Sequence, residues 1–341
     1  MKIIIAIPVA HTYFWQDSCI SQLQKFDPGI RDVQIVIVSN AYDWSPSIRP
    51  VMDWSMEDNL NIPMEVVMND RASMWHGTAL DHVVEHYEAD YLFTMEPDVL
   101  VLQDDWLKWF VDQMKDNIFS IGHWHHEGFI NPSATLYRMN TLKIMLEECR
   151  ANKDSNMYWG PDFSRSENIL PHYEYYLEDV GPFSEKRGFP PNTKLKGPSP
   201  SGQLKGPGWW EPAQQAHHIA IEKGYDYIPI PCRHDIIPER CIPSGTFYGE
   251  DHNFYLVHTW GGTRCYDILK HPVSDPTVLN NYQWWIEREV EIWNQIVPEN
   301  RKEITKRFIK EKGFYNRPMN EREEQASNTI LKIYKKAGID L

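Results

Sequence analysis

No two of the five cysteines form a C-x-x-C pair, so the chain carries neither a dithiol redox motif nor the paired spacing of a structural zinc site. Their odd number and scattered positions (Cys19, Cys149, Cys232, Cys241 and Cys265) predict reduced thiols, as expected of a cytoplasmic protein. Apolar runs long enough to cross a bilayer are also missing. The N-terminal KIIIAIPVA is too short and has no signal-peptide pattern around it, so no membrane span is expected. Positive charge is in deficit, with 34 Lys and Arg against 48 Asp and Glu and a net charge of −14. That balance excludes a generic polyanion binder, whose affinity comes from clustered cations. No G-x-G-x-x-G follows the first apolar run, which excludes a plain dinucleotide dehydrogenase. The segment there, AHTYFWQ, is not the Gly-rich basic loop that a nucleotidyltransferase would show.

What is present points to an α/β fold. IIIAIPV (3–9) and VQIVIVSN (33–40) are β-branched runs without alternation, as in strands buried on both faces of a parallel sheet. MEVVM (64–68) and YLFTM (91–95) are third and fourth strands. Leu80, Val83, Val84 and Tyr87 recur at i, i+3, i+4 and i+7, one apolar face of a helix between them. Residues 1–100 therefore predict β-α-β-α-β-α-β, a mostly parallel, Rossmann-like sheet flanked by helices. A helix near 104–115, a strand at 118–122, a helix near 139–149, a helix near 212–223 and strands at 225–230 and 253–258 follow. The stretch 151–208 is rich in Pro, Gly and Tyr and has little periodicity. It predicts a long mobile loop that orders over bound substrate. The tail, from WWIEREVEIWNQIV onward, predicts helices packed on the body.

In YLFTMEPDVLV (91–101), two carboxylates stand where the fourth strand ends. Turns favour Asp and Pro, so an acidic turn can simply be a cap. In an open α/β sheet, however, ligands gather at the carboxyl ends of strands. Two carboxylates at i, i+2 there suit a hard divalent cation.

IIIAIPVA, IVIVSNAYD and NDRASMWHGTALDHVVEHYEADYLFTMEPDVLV, in that order, resemble the nucleotide-binding half of GT-A glycosyltransferases, close to family two. The resemblance covers roughly residues 1–265 and places the Asp-x-Asp-type motif at Glu96-Pro97-Asp98. It implies a GT-A catalytic domain over 1–265, with 1–100 as the nucleotide-sugar half and 101–265 as the acceptor half. Residues 266–341 are then a C-terminal helical extension. It also implies Mn²⁺ or Mg²⁺, a nucleotide-sugar donor, most readily a UDP-sugar, and a hydroxyl acceptor. Asp98 and His258 would be metal ligands, and Glu96 a further ligand or a partner of the ribose or of a metal-bound water. Pro8, Ala10, His11, Asn40 and Asp43 would contact base and ribose. Arg71 and Arg264 would serve the diphosphate, and His76, near the same helix start as Arg71, is a further donor-site candidate. Glu211 would be the base that deprotonates the acceptor, with Asp179 and Asp251 as rivals, and Trp209-Trp210 an acceptor platform. Segment 122–140, with three His and a Trp, reads as an acceptor-site wall.

The acceptor stays open between a glycan, a lipid-linked sugar, a protein, a small molecule and a hydroxymethylated DNA base, the last because Lys186, Arg187, Lys194, Lys196 and Lys205 cluster ahead of Trp209. A noncatalytic nucleotide- or sugar-binding module and a nucleotidyltransferase are the alternatives.

Overall fold

The structure, a computed structural model, describes residues 1–9, 13–39, 48–57, 59–68, 76–125, 129–151, 174–176, 194–196, 214–237, 242–250, 253–259, 276–314, 318–339 and 341. The elements are β1 (Lys2–Val9), α1 (Tyr13–Lys25), β2 (Asp32–Ser39), α2 (Ile48–Ser55), β3 (Met64–Met68), α3 (His76–His86), β4 (Tyr91–Met95), β5 (Val99–Val101), α4 (Trp106–Asp112), β6 (Ile118–His125), β7 (Phe129–Arg138) and α5 (Met139–Ala151). Then come β8 (Glu174–Tyr176), β9 (Lys194–Lys196), α6 (Gln214–Glu222), β10 (Asp226–Pro229), β11 (Cys232–Ile237), β12 (Ile242–Glu250), β13 (Asn253–His258), α7 (Pro276–Ile296), α8 (Glu299–Lys312) and α9 (Glu321–Lys336).

Among the described residues the main sheet has seven strands in the order β10-β6-β7-β4-β1-β2-β3. It is mostly parallel: β1 with β4, β2 with β3 and β10 with β6, while β7 runs antiparallel to both of its neighbours. The chain is thus α/β, with a mostly parallel sheet and helices on it, and its first half follows the βαβαβαβ order expected. A second, antiparallel sheet has the order β11-β12-β13-β5, and among the described residues β8 pairs with β9. Little of the 151–208 segment beyond these two short strands lies within the described residues. No described helix is long and apolar enough to cross a membrane.

The chain divides into two compact units. One comprises 1–6, 69–95 and 110–231. In it β1 and β4 pair in register from Ile3–Tyr91 to Ala6–Thr94, and the centre is packed by Phe93, Phe110, Phe119 and Tyr137. Gly122 of β6 is obligatory there, because a Cβ at this position would stand 1.9 Å from Thr135 Oγ1 of β7.

The other unit comprises 7–68, 96–109 and 232–341. Its centre is α1, buried from Tyr13 to Leu23 although it carries Gln16, Asp17, Ser18, Ser21 and Gln22. The reason is that α7, α8 and α9 cover it. Phe14 meets Trp293 and Tyr334 edge-on at 4.7 and 4.8 Å, and Tyr13 meets Phe314 at 6.2 Å and donates to the Gly313 carbonyl at 2.9 Å. Each such aromatic buried contributes about 1.5–3 kcal/mol. The buried Glu289 carboxylate of α7 accepts from the Trp15 backbone N–H at 3.2 Å, near the start of α1, where the helix dipole favours negative charge. The helices of the tail therefore share a core with α1.

Candidate functional site

The turn that joins β4 to β5 explains the interrupted apolar run. Val99 N–H donates to the Glu96 carbonyl at 3.0 Å, closing a four-residue turn with Pro97 second, the position proline favours. Beyond it the chain leaves the main sheet, and β5 pairs with β13 in the antiparallel one, His258 opposite Val99. The Thr259 N–H and hydroxyl both donate to the Asp98 carbonyl, each at 3.0 Å, so the end of β13 is tied to the acidic turn.

This tie brings three side chains together. His258 Nε2 lies 3.1 Å from Glu96 Oε2 and 3.4 Å from Asp98 Oδ1. The three form the one group of potential metal ligands among the described residues, with all ligand atoms within 4.8 Å of one another. Asp98 and His258 are buried at 3% and 2% exposure, while Glu96 is partly open to solvent. Cis ligands of an octahedral ion with bonds of about 2.1 Å stand about 3 Å apart. The observed spacings therefore fit one shared coordination sphere. Two carboxylates and one imidazole suit Mn²⁺ better than an all-oxygen Mg²⁺ or Ca²⁺ cage.

Burial alone would push the His258 imidazole toward neutrality. The charge of the buried Asp98 carboxylate, with hydrogen bonds to Asp98 and Glu96, overrides it and holds the ring up at about 10. Without a metal the triad is thus a protonated histidine between two carboxylates. That pairing stabilises the fold fully below the unfolded-state value near 6.5 and is lost as the pH rises through about 10. A cation and this proton compete for the same nitrogen.

Three nearby groups have no clear signature in the sequence. The Tyr248 hydroxyl of β12 stands 3.5 Å from His258 Nδ1, the ring nitrogen that faces away from the carboxylates. A partner there helps to orient the ring. Gly245 lets β12 lie close: a Cβ would come within 2.8 Å of the His258 carbonyl. Cys19 of α1 is fully buried, and burial, together with the charge of Asp98, pushes its thiol far above the usual range, leaving it inert.

No protein-family model matches the chain, and no curated protein does. Among solved structures, the mannosyltransferase PcManGT from Pyrobaculum calidifontis, in complex with GDP-Man and Mn²⁺, is 9% identical over 98% of this chain and 86% of its own, with a TM-score of 0.43. TarS 1–349 from S. aureus is 11% identical over 100% and 93%, with a TM-score of 0.35. Glucosyl-3-phosphoglycerate synthase from Mycobacterium tuberculosis, with Mn²⁺ and UDP, is 12% identical over 41% and 58%, at 0.30. Likeness at this level says nothing about substrate.

Of the other residues singled out in the sequence, Pro8 is buried within β1, one residue before the strand ends. His76 is the first residue of α3. Ala10, His11, Asn40, Asp43, Arg71, Asp179, Trp209, Trp210, Glu211, Asp251 and Arg264 lie outside the described residues. Trp124 of segment 122–140 is exposed on β6.

Proposed function

We propose that the protein is a GT-A-type glycosyltransferase that uses a divalent cation, most readily Mn²⁺, to move a sugar from a nucleotide-sugar donor to a hydroxyl acceptor. The observation that carries this reading is the convergence of Glu96, Asp98 and His258 at the carboxyl end of the fourth strand of a βαβαβαβ unit. Asp98, Glu96 and His258 Nε2 would hold the ion. Bound there, the cation would supply charge neutralisation for a departing nucleoside diphosphate. That also reconciles an anionic donor with a chain of net charge −14.

In this reading Pro8, Ala10, His11, Asn40 and Asp43 flank the base and ribose of a UDP-sugar. Arg71, His76 and Arg264 address its phosphates, Glu211 takes the acceptor proton, and Trp209-Trp210 border the acceptor.

The test is release of UDP from UDP-sugars, with and without Mn²⁺. Turnover stops with EDTA and returns with Mn²⁺ or Mg²⁺. Full turnover after exhaustive chelation would overturn the metal role. Binding without turnover would mark a noncatalytic module, and pyrophosphate released from a nucleoside triphosphate would mark a nucleotidyltransferase.

A further inference from the structure

Trp124 is 39% exposed, yet it is not loose. Its indole lies on the ring of Tyr227 from β10, with centroids 5.1 Å apart and planes 13° apart. His217 of α6, itself 3% exposed, meets both rings edge-on, 6.2 Å from Trp124 and 4.8 Å from Tyr227. A single exposed tryptophan is ordinary. One held in a fixed orientation by aromatic neighbours from two other elements is a preformed surface, which binds with little further loss of side-chain freedom.

Its position in the sheet matters as much. β4 and β6 are both antiparallel to β7 and so run in the same direction. Thr135 of β7 pairs with Thr94 of β4 on one side and with Gly122 of β6 on the other. Gly122 is therefore level with Thr94, next to last in β4, and Trp124 stands two residues further along. That is the carboxyl edge of the sheet, where open α/β sheets collect ligands.

We propose that Trp124, backed by Tyr227 and His217, is a stacking platform for a pyranose ring of a saccharide acceptor. The inference rests on the glycosyltransferase reading above. A pyranose presents a face of C–H groups that matches an indole, while its hydroxyls stay at the wet rim. A nucleobase stacks on indole as well, but its phosphate backbone needs cations nearby. Tyr227 instead follows the exposed Asp226, and the chain as a whole is acidic. Those charges favour a neutral saccharide over nucleic acid.

The experiment measures, by calorimetry, binding of methyl pyranosides and β-linked disaccharides of glucose, galactose and N-acetylglucosamine to the full chain. Wild type, Trp124→Ala, Trp124→Phe and Trp284→Ala are compared. Trp284 is a more exposed tryptophan, on α7. Binding by wild type that weakens tenfold or more in Trp124→Ala, by less in Trp124→Phe, and not at all in Trp284→Ala is the expected result. If Trp124→Ala does not fold, Trp124→Phe and Tyr227→Leu carry the comparison. Equal binding by wild type and the Trp124 variants overturns the platform. So does absence of binding to every saccharide, or preferential binding of an oligonucleotide carrying hydroxymethylcytosine. Donor turnover by wild type with Mn²⁺, measured separately, tells failure of the platform from failure of the glycosyltransferase reading.

Discussion

Replacing Asp98 with alanine is expected to lower the proposed metal-dependent sugar transfer by a hundredfold or more and to leave the fold in place. The backbone at Asp98 is held by the two bonds that Thr259 makes to its carbonyl, and neither involves the carboxylate. The turn and the β5–β13 pairing therefore survive the substitution. The loss falls on the site: a buried carboxylate, proposed as a metal ligand, goes, and with it the main charge that holds His258 protonated. Loss of one charged ligand costs several kcal/mol of transition-state stabilisation, and each 1.36 kcal/mol is tenfold in rate. Initial rates with saturating Mn²⁺, set beside a thermal melt of the same preparation, check this. Activity within a few-fold of wild type would mean that the triad is only an internal ion pair.

The largest effect on stability is expected at Asp17. This carboxylate is 1% exposed in α1 and accepts from three buried donors: the Trp54 indole of α2 and the Trp293 indole of α7, both at 3.2 Å, and the Thr305 hydroxyl of α8 at 2.5 Å. The Arg301 guanidinium of α8, stacked over Trp54 and paired with Glu57, adds a nearby positive charge. One side chain thus ties α1 to three other helices. Asp17→Ala leaves three buried donors without their acceptor, at about 1–3 kcal/mol each. A loss of about 3–5 kcal/mol is expected, a large share of the margin of a typical fold, and the melting temperature drops by several degrees.

Asp17 also sets a pH dependence. Burial raises its carboxyl to about 6, against the opposing pull of the three hydrogen bonds and Arg301, from an unfolded value near 3.8. Between those values the folded state holds a proton that the unfolded state lacks, so stability from this group rises as the pH falls from 7 to 4. The stability difference between wild type and Asp17→Asn, followed by urea unfolding, should shift in favour of wild type over that range. A difference that is flat with pH would contradict the assignment.

The four early strands were legible because their apolar runs are continuous: β1 is buried without a break from Ile3 to Val9. MEVVM, YLFTM and NFYLVH match the observed strands residue for residue. β7 was not legible. FINPSATLYR is buried on both faces, with Ser133 and Thr135 at 0% exposure, so no alternation marks it, and its Asn-Pro reads as a turn. β12, IPSGTFYGE, hides in the same way behind a proline and two glycines, and Tyr248 and Gly245 are hidden with it. Asp17 has no local signature either, since its partners lie 37, 276 and 288 residues away. Glu96, Asp98 and His258 were legible because each stands at the end of an apolar run. That Asp98 and His258 meet depended on β5 turning into the second sheet, which three residues, Val99–Val101, do not announce.

The most direct test of the site is a Mn²⁺ titration in the presence of UDP, with the free ion followed by its electron paramagnetic resonance signal. One Mn²⁺ bound per chain, with affinity falling tenfold or more in both Asp98→Ala and His258→Ala, is the result predicted. Failure of the wild-type protein to retain Mn²⁺, or retention undiminished in both variants, would contradict it.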